Sequence, residues 1–221
     1  MDAAERADAP DFFYMAASPA EACAKTLTHT ALELGGNDAF IVMDDADLDL
    51  AADEVLWGRM YNTGQVCCAS KRFLVQESVA DEFAQKVVER VSKIKTGMPS
   101  EDSTELGCLI SEKTADVAID MEIFGPVVPI IKFKDEAEAV EIANASMFGL
   151  SGCVFSRDQK LCARVATQLE CGGVVINGAS FYRSFEQPFG GYKYSGIGTE
   201  GVMSTFDEMT HTKSIILKNI L

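Results

Sequence analysis

Between Asp38 and Asn177 the sequence switches its hydrophobic period repeatedly, and few folds tolerate that. Short unbroken apolar runs, DAFIVM (38–43), RFLVQ (72–76), VVPIIKF (127–133), LSGCVF (150–155) and GVVIN (173–177), alternate with longer runs carrying one apolar stripe. The stripe in DDADLDLAADEVLWGRMY (44–61) recurs at Leu48, Ala52 and Val55 or Leu56. After RFLVQ, Ser78 and Asp81 predict a capping box. It opens a helix with Val79, Phe83, Val87, Val91 and Ile94 on one face, stopped by Thr96-Gly97-Met98-Pro99. DEAEAVEIANAS (135–146) and DQKLCARVATQLE (158–170) predict two further helices, closed near Gly149 and Gly172. A strand apolar throughout must be covered on both faces. Strands alternating with helices of about a dozen residues therefore predict an α/β fold, an open, mostly parallel sheet flanked by helices.

Four segments stand outside this rhythm. The first thirty residues are rich in Ala and acidic groups and carry little regular pattern. LGCLISEKTADVAI (106–119) runs directly into the turn-like DMEIFGPVV (120–128), with no complete βα unit between. Residues 178–201 hold six glycines and neither period, which predicts a long functional loop. THTKSIILKNIL (210–221) is an apolar strand that would leave an exposed edge, so pairing with another chain is expected.

Charge removes several function classes. Asp and Glu number 34 against 19 Lys and Arg, a net charge of −15. Neutralising phosphates requires clustered cations, so nucleic acid and anionic membrane surfaces are poor partners. No apolar run approaches the roughly 18 to 20 residues of a bilayer span, and the N-terminus lacks a secretory pattern, so a cytoplasmic protein is expected. Seven cysteines without a C-x-x-C, beside only two histidines, predict neither a disulfide scaffold nor a metal site.

Two places bear on chemistry. GIGTEG (196–201) matches the dinucleotide fingerprint letter for letter, but no apolar strand precedes it and no acidic residue follows at the required distance. It predicts only a glycine loop. Cys67 follows Thr63-Gly64-Gln65-Val66 at the end of a predicted helix, where backbone N–H groups lower a thiol pKa and offer donors to an oxyanion. Glu33 stands in LELGGN, in an apolar setting that raises a carboxyl pKa toward that of a general base. These residue types alone leave open a nucleophile with its base and a structural thiol with a capping glutamate. A Cys–His hydrolase is the weaker nucleophilic option, since His29 and His211 stand in unremarkable contexts.

LELGGND with Glu33, NTGQVC with Cys67, EIFGPV with Glu122 and Phe124, and PFGGYKYSGIGTEG occur in the order found in aldehyde dehydrogenases, with the family's Glu-to-Cys spacing. From about Leu32 to Leu217 the chain resembles that family. It looks closest to the succinate-semialdehyde dehydrogenase branch, through NDAFIVMDDADLD, GQVCCASKRF and LECGGVVING. The resemblance implies the catalytic-domain fold of that family and oxidation of a small aldehyde, succinic semialdehyde or similar, with NAD or NADP. Cys67 would carry the acyl group as a thioester and Glu33 would activate the hydrolytic water. Glu122 would hold the nicotinamide ribose, with Phe124, Leu34 and Gly35 among the cofactor contacts. Cys68, Tyr61 and Arg183 would border the substrate pocket. Tyr61 occupies a position where that branch often has a carboxylate-binding arginine, and Arg183 is the candidate replacement.

The chain also departs from the resembled family. Residues 1–31 stand as a remnant of its cofactor-binding half, without the phosphate-contacting Phe-Thr-Gly-Ser run and without the asparagine that completes the oxyanion hole. Residues 32–209 correspond to the catalytic domain, with an internal deletion near 118–120, and 210–221 to an oligomerising strand. A truncated fold of this type is therefore expected. It would act as a dehydrogenase or, alternatively, as an inactive homologue serving as an interaction subunit. Its partner would be a second copy or a full-length subunit.

Overall fold

A computed structural model describes residues 11–111 and 123–219. Its centre is a five-stranded, all-parallel sheet made of β2 (Asp38–Val42), β3 (Ser70–Gln76), β4 (Ile130–Phe133), β6 (Ser151–Phe155) and β7 (Gly173–Ile176), in the order β4-β3-β2-β6-β7. The chain starts in the middle at β2, winds outward through β3 and β4, then crosses back to β6 and β7. Phe40 pairs with Phe73 on one side and Cys153 on the other, so strand alternation carries two cores through one sheet.

Phe40, Val42, Phe73, Val75, Cys153 and Phe155 face α2 (Leu48–Val55) and α3 (Ala80–Val91), which add Val55, Phe83 and Val87. The rings of Phe40 and Phe155 stack there at 4.5 Å. Ala39, Ile41, Leu74 and Val154 face the opposite layer, α4 (Glu136–Asn144) and α5 (Gln159–Gln168). The apolar runs are continuous because each strand is covered on both sides.

Helix starts differ from expectation in one respect. The predicted capping box at Ser78 and Asp81 does not form, because α3 begins at Ala80 behind Val79 with no side-chain cap. The helices are capped instead by Asp47, Asp135 and Asp158, whose carboxylates accept from Leu50 N, Glu138 N and both Lys160 N and Leu161 N. Each satisfies N–H groups that a helix start leaves orphaned. Lys86 and Arg90 of α3 reach Asp49 and Asp53 of α2, exposed pairs that orient the helices more than they stabilise them.

Three further segments deviate. Residues Asp11–Ala24 form a helix, α1, despite Pro19 and the lack of a stripe. The glycine-rich 178–201 is not purely loop: β8 (Tyr192–Lys193) pairs antiparallel with β5 (Phe148–Gly149), and β9 (Gly196–Ile197) with β1 (Leu32–Glu33). It ends in the short helix α6 (Val202–Glu208). Residues 210–218 join no strand of this chain, and Ile215, Ile216 and Leu217 are exposed. The expected deletion near 118–120 lies outside the described residues.

Candidate active site

Glu33 and Cys67 both reach the sheet at its amino edge, one in the segment leading into β2 and the other in the turn leading into β3. That turn is made by unwinding a helix. After α2 the chain passes through a π-helical turn at Leu56–Met60 and a 3-10 turn at Tyr61–Gly64. Asn62 and Thr63 have φ values of 49° and 57°, and for β-branched Thr63 that backbone costs roughly 1–3 kcal/mol. Local bonds hold it: Asn62 Nδ2 donates to Gln65 O at 3.1 Å and Gln65 Nε2 donates to Asn62 O at 3.2 Å. Gln65 Oε1 also accepts from Ile110 N at 2.8 Å. Strained backbone fixed from several directions is a common feature of functional sites.

Three other motifs close on this turn. A Cβ added to Gly36 would lie 2.9 Å from the Cys67 carbonyl oxygen, so only glycine lets the 32–36 segment pass against the thiol turn. The 123–127 segment docks from another side: Arg59, fully buried, donates through Nε to Val127 O at 2.7 Å and through an Nη to Ile123 O at 3.1 Å. The Phe124 ring lies under the Lys71 ammonium at 4.9 Å. Lys71 is itself wholly buried and donates to the carbonyls of Val66 at 3.0 Å and Cys67 at 2.7 Å. Arg72 points the other way, donating to the carbonyls of Asn37, Ile142 and Ala143.

The last motif builds the surroundings of Glu33. Leu34 N donates to Ser195 O at 3.0 Å, and the β1–β9 ladder pairs Glu33 with Gly196. Gly196 has φ 149°, and a side chain there would collide with Leu32 O. Glu200 exchanges two backbone bonds with Phe189, and Arg183 pairs with Glu200 at 2.8 Å while lying over the Phe189 ring at 4.2 Å. Glu33 opens to solvent on one side. Desolvation on the other side, then the charges of Glu200 and Cys67, push its carboxyl up to about 7 against a smaller opposing pull from Arg183. The charge of Cys67 thus reaches the Glu33 carboxyl.

Cys67 is half-buried, and Cys68 beside it is buried with Leu150 and Phe189. The Cys68 thiol is pushed strongly up by its hydrogen bond to Cys67 and then by burial, so it stays a neutral donor to that sulfur. Tyr61, Trp57 and Phe181 form an aromatic cluster with ring centroids 4.9 to 5.8 Å apart, and Phe181, like Cys67, packs against the buried group of Cys68, Leu150 and Phe189. Cys67, Arg183 and Glu200 act on Glu33, Cys68 bonds Cys67, and Phe124 docks on the Lys71 that holds the thiol turn, with Tyr61 in the aromatic cluster; Leu34 and Gly35 follow Glu33 in the chain. Glu122 lies outside the described residues. Lys71, Arg59, Glu200, Trp57 and Phe181 were not singled out in the sequence, and the aromatic pair carried no signal beyond composition. Among the described residues, no group of His, Cys, Asp and Glu is arranged to hold a metal.

Asp38 lies behind the thiol turn. It is buried, its Oδ1 accepts from Ser151 N at 3.1 Å, and its Oδ2 has no partner among the described residues. Burial pushes its carboxyl up to about 8, although Lys71, Ser151 N and Arg72 pull it down. An unfolded chain releases this proton near pH 4. The native state therefore holds one extra proton from about pH 4 to pH 8, and stability falls as pH rises through that window. Asp38→Asn keeps the Ser151 bond and removes the titration. Its unfolding free energy in urea is expected to gain on the parent's by more than about 1 kcal/mol between pH 5 and pH 8. Parallel pH slopes would show that Asp38 is ionised in the fold.

The sequence matches the Aldehyde dehydrogenase family over residues 16–121 and 114–215. It is 36% identical over 228 residues to a lactaldehyde dehydrogenase of Methanococcus maripaludis, covering 86% of this chain and 49% of the relative. It is 36% identical to a succinate-semialdehyde dehydrogenase of Paenarthrobacter nicotinovorans, covering 84% and 50%. Among solved structures, a betaine aldehyde dehydrogenase from Staphylococcus aureus in complex with NAD+ superposes with a TM-score of 0.83 at 35% identity, over 89% of this chain and 48% of that one. The chain spans about half the length of the curated relatives it matches.

Proposed function

The chain belongs to the aldehyde dehydrogenase family, and on that premise we propose that its Cys67–Glu33 space oxidises a small aldehyde to its carboxylic acid through a thioester on Cys67. The observation that carries this is a half-buried thiol whose charge acts on a carboxyl raised to about 7 in a separate motif. The thiolate of Cys67 attacks the aldehyde carbon, and the carbonyl electron pair moves onto oxygen. A nicotinamide cofactor, when bound, supplies the hydride acceptor. Its nicotinamide end would be met by Phe124, docked beside the thiol turn, and by Leu34 and Gly35 next to Glu33. The described residues offer no phosphate-binding glycine loop, since 196–201 opens as strand β9 paired to β1. Glu33 then takes a proton from water as the water attacks the thioester, and the acid leaves with Cys67 restored.

The aromatic cluster of Trp57, Tyr61 and Phe181 gives the approach to Cys67 an apolar wall, and Arg183 is the cation nearest to Glu33 among those that perturb it. Arg183 is engaged by Glu200, so a distal carboxylate of the substrate would have to compete for it. Succinic semialdehyde and aldehydes lacking that carboxylate are thus both compatible substrates, distinguished by whether Arg183→Ala raises KM for the first alone.

Glu33 is tested apart from any cofactor with p-nitrophenyl acetate, which acylates a thiolate and releases nitrophenolate. Glu33→Gln is expected to keep the initial burst and to lose steady-state turnover by roughly 10²- to 10⁴-fold. In the parent chain, turnover after the burst should rise with pH through an apparent pKa near 7, because only the ionised Glu33 accepts the proton. A burst lost together with turnover would place Glu33 in acylation instead and overturn its role as hydrolytic base.

A further inference from the structure

Lys71 is the residue whose placement the chemistry above leaves unused. A lysine buried completely is expensive, and a methionine or leucine would fill the same volume at less cost. Two of its donations go to consecutive carbonyls, Val66 at 3.0 Å and Cys67 at 2.7 Å. The described chain has no cis peptide bond, and in a trans peptide the N–H points opposite the C=O. One ammonium drawing both carbonyls to itself therefore turns the N–H groups of Cys67 and Cys68 to the other side of the turn. Arg72, one residue along, donates instead to the carbonyls of Asn37, Ile142 and Ala143, so a cation facing the thiol turn is not a by-product of strand β3.

We propose that Lys71 is a positioning residue for acyl transfer, aiming the peptide N–H groups of Cys67 and Cys68 at the oxygen that becomes negative when Cys67 attacks a carbonyl. The inference rests on Cys67 being the nucleophile. In that attack a C–S bond forms and the C=O π pair moves to oxygen. With an aryl ester the pair returns as the aryl oxide leaves, so no oxidant is needed. Two charge-assisted bonds to the carbonyls also polarise both peptides, which strengthens their N–H groups as donors. The contact between the Lys71 ammonium and the Phe124 ring ties this arrangement to docking of the 123–127 segment.

The test separates attack on a carbonyl from attack that needs no oxyanion. Lys71→Met keeps length and removes both charge and donors; Lys71→Gln keeps a neutral donor and serves if the first variant is unstable. Acylation by p-nitrophenyl acetate is read from the nitrophenolate burst. Alkylation of Cys67 by iodoacetamide, followed by peptide mass spectrometry, displaces iodide from a saturated carbon and needs no oxyanion donor. Both are measured above the pH at which the wild-type alkylation profile levels off, so that thiolate content does not differ. Lys71→Met is expected to slow acylation by about 10²-fold with alkylation within about threefold, and Lys71→Gln to fall between. Equal losses in the two reactions, or no loss of acylation, would overturn the assignment. A wild-type chain that alkylates but never acylates would overturn the nucleophile reading itself and this inference with it.

Discussion

Serine at position 67 is expected to reduce the nitrophenolate burst by at least about 10³-fold while leaving the unfolding free energy within about 0.5 kcal/mol of the parent. The two side chains are nearly isosteric, so packing against the group of Cys68, Leu150 and Phe189 persists. The chemistry does not. A thiol gives its thiolate near pH 8.5 and below, whereas a hydroxyl must be deprotonated during attack. The serine hydroxyl would need a general base in the attack itself, a second role for Glu33 that a thiolate does not ask of it. Four of the other cysteines are poor substitutes: burial pushes up Cys153, Cys162 and, to about 12, Cys171, and the bond to Cys67 pushes up Cys68. Cys68→Ser should therefore keep most of the burst. A burst that survives Cys67→Ser would move the nucleophile elsewhere and end the proposed reaction.

How much of this was legible beforehand varies with the physics that made each part. The strands over 38–42, 72–76, 151–155 and 173–176 stood out because burial on both faces forces unbroken apolar runs, here short and alternating with helical stripes. Two-residue ladders leave no period, so β5–β8 and β1–β9 were invisible, and the glycines of 190–201 pointed to a loop. The unwinding of α2 at Leu56–Gly64 was equally hidden, since the pattern continues helically through Met60 while the backbone does not. Cys67 and Glu33 were paired only by resemblance to a family. Their residue types alone left a structural thiol open. Lys71 escaped notice because a lysine in a strand ordinarily marks solvent, and only the three-dimensional placement shows it wholly enclosed.

The site also sits where a parallel sheet does not usually place one. Doubly wound sheets bind ligands beyond the carboxyl ends of their strands, at the point where strand order reverses. Here Glu33, Gly36 and Cys67 precede β2 and β3, at the amino edge, and the space between them is closed by segments arriving from far along the chain. Such an arrangement depends on backbone-to-backbone approach more than on helix dipoles. Its weak points are accordingly glycines.

Gly64→Ala exposes that dependence most directly. Gly64 has φ 72°, and a Cβ there would press into the Gly125 carbonyl and lie 3.0 Å from Arg59 O. The left-handed backbone alone costs a non-glycine residue about 1–2 kcal/mol, and here neither neighbour is the end of a flexible side chain that could swing away. Relief requires the 123–127 segment to lift from the thiol turn, which breaks the Arg59 bonds to Ile123 and Val127 and parts Phe124 from Lys71. The expected loss is about 3 kcal/mol or more, a fall of about 6 to 12 °C in thermal midpoint. Trp57, the single tryptophan, lies 4.9 Å from Tyr61 beside this turn and reports the change by fluorescence. Gly125→Ala is the control, because among the described residues a Cβ there meets only Leu109 Cδ2 at 3.8 Å, and it should cost under about 1 kcal/mol. If the two variants unfold alike, the approach of these backbones does not hold the thiol turn in place.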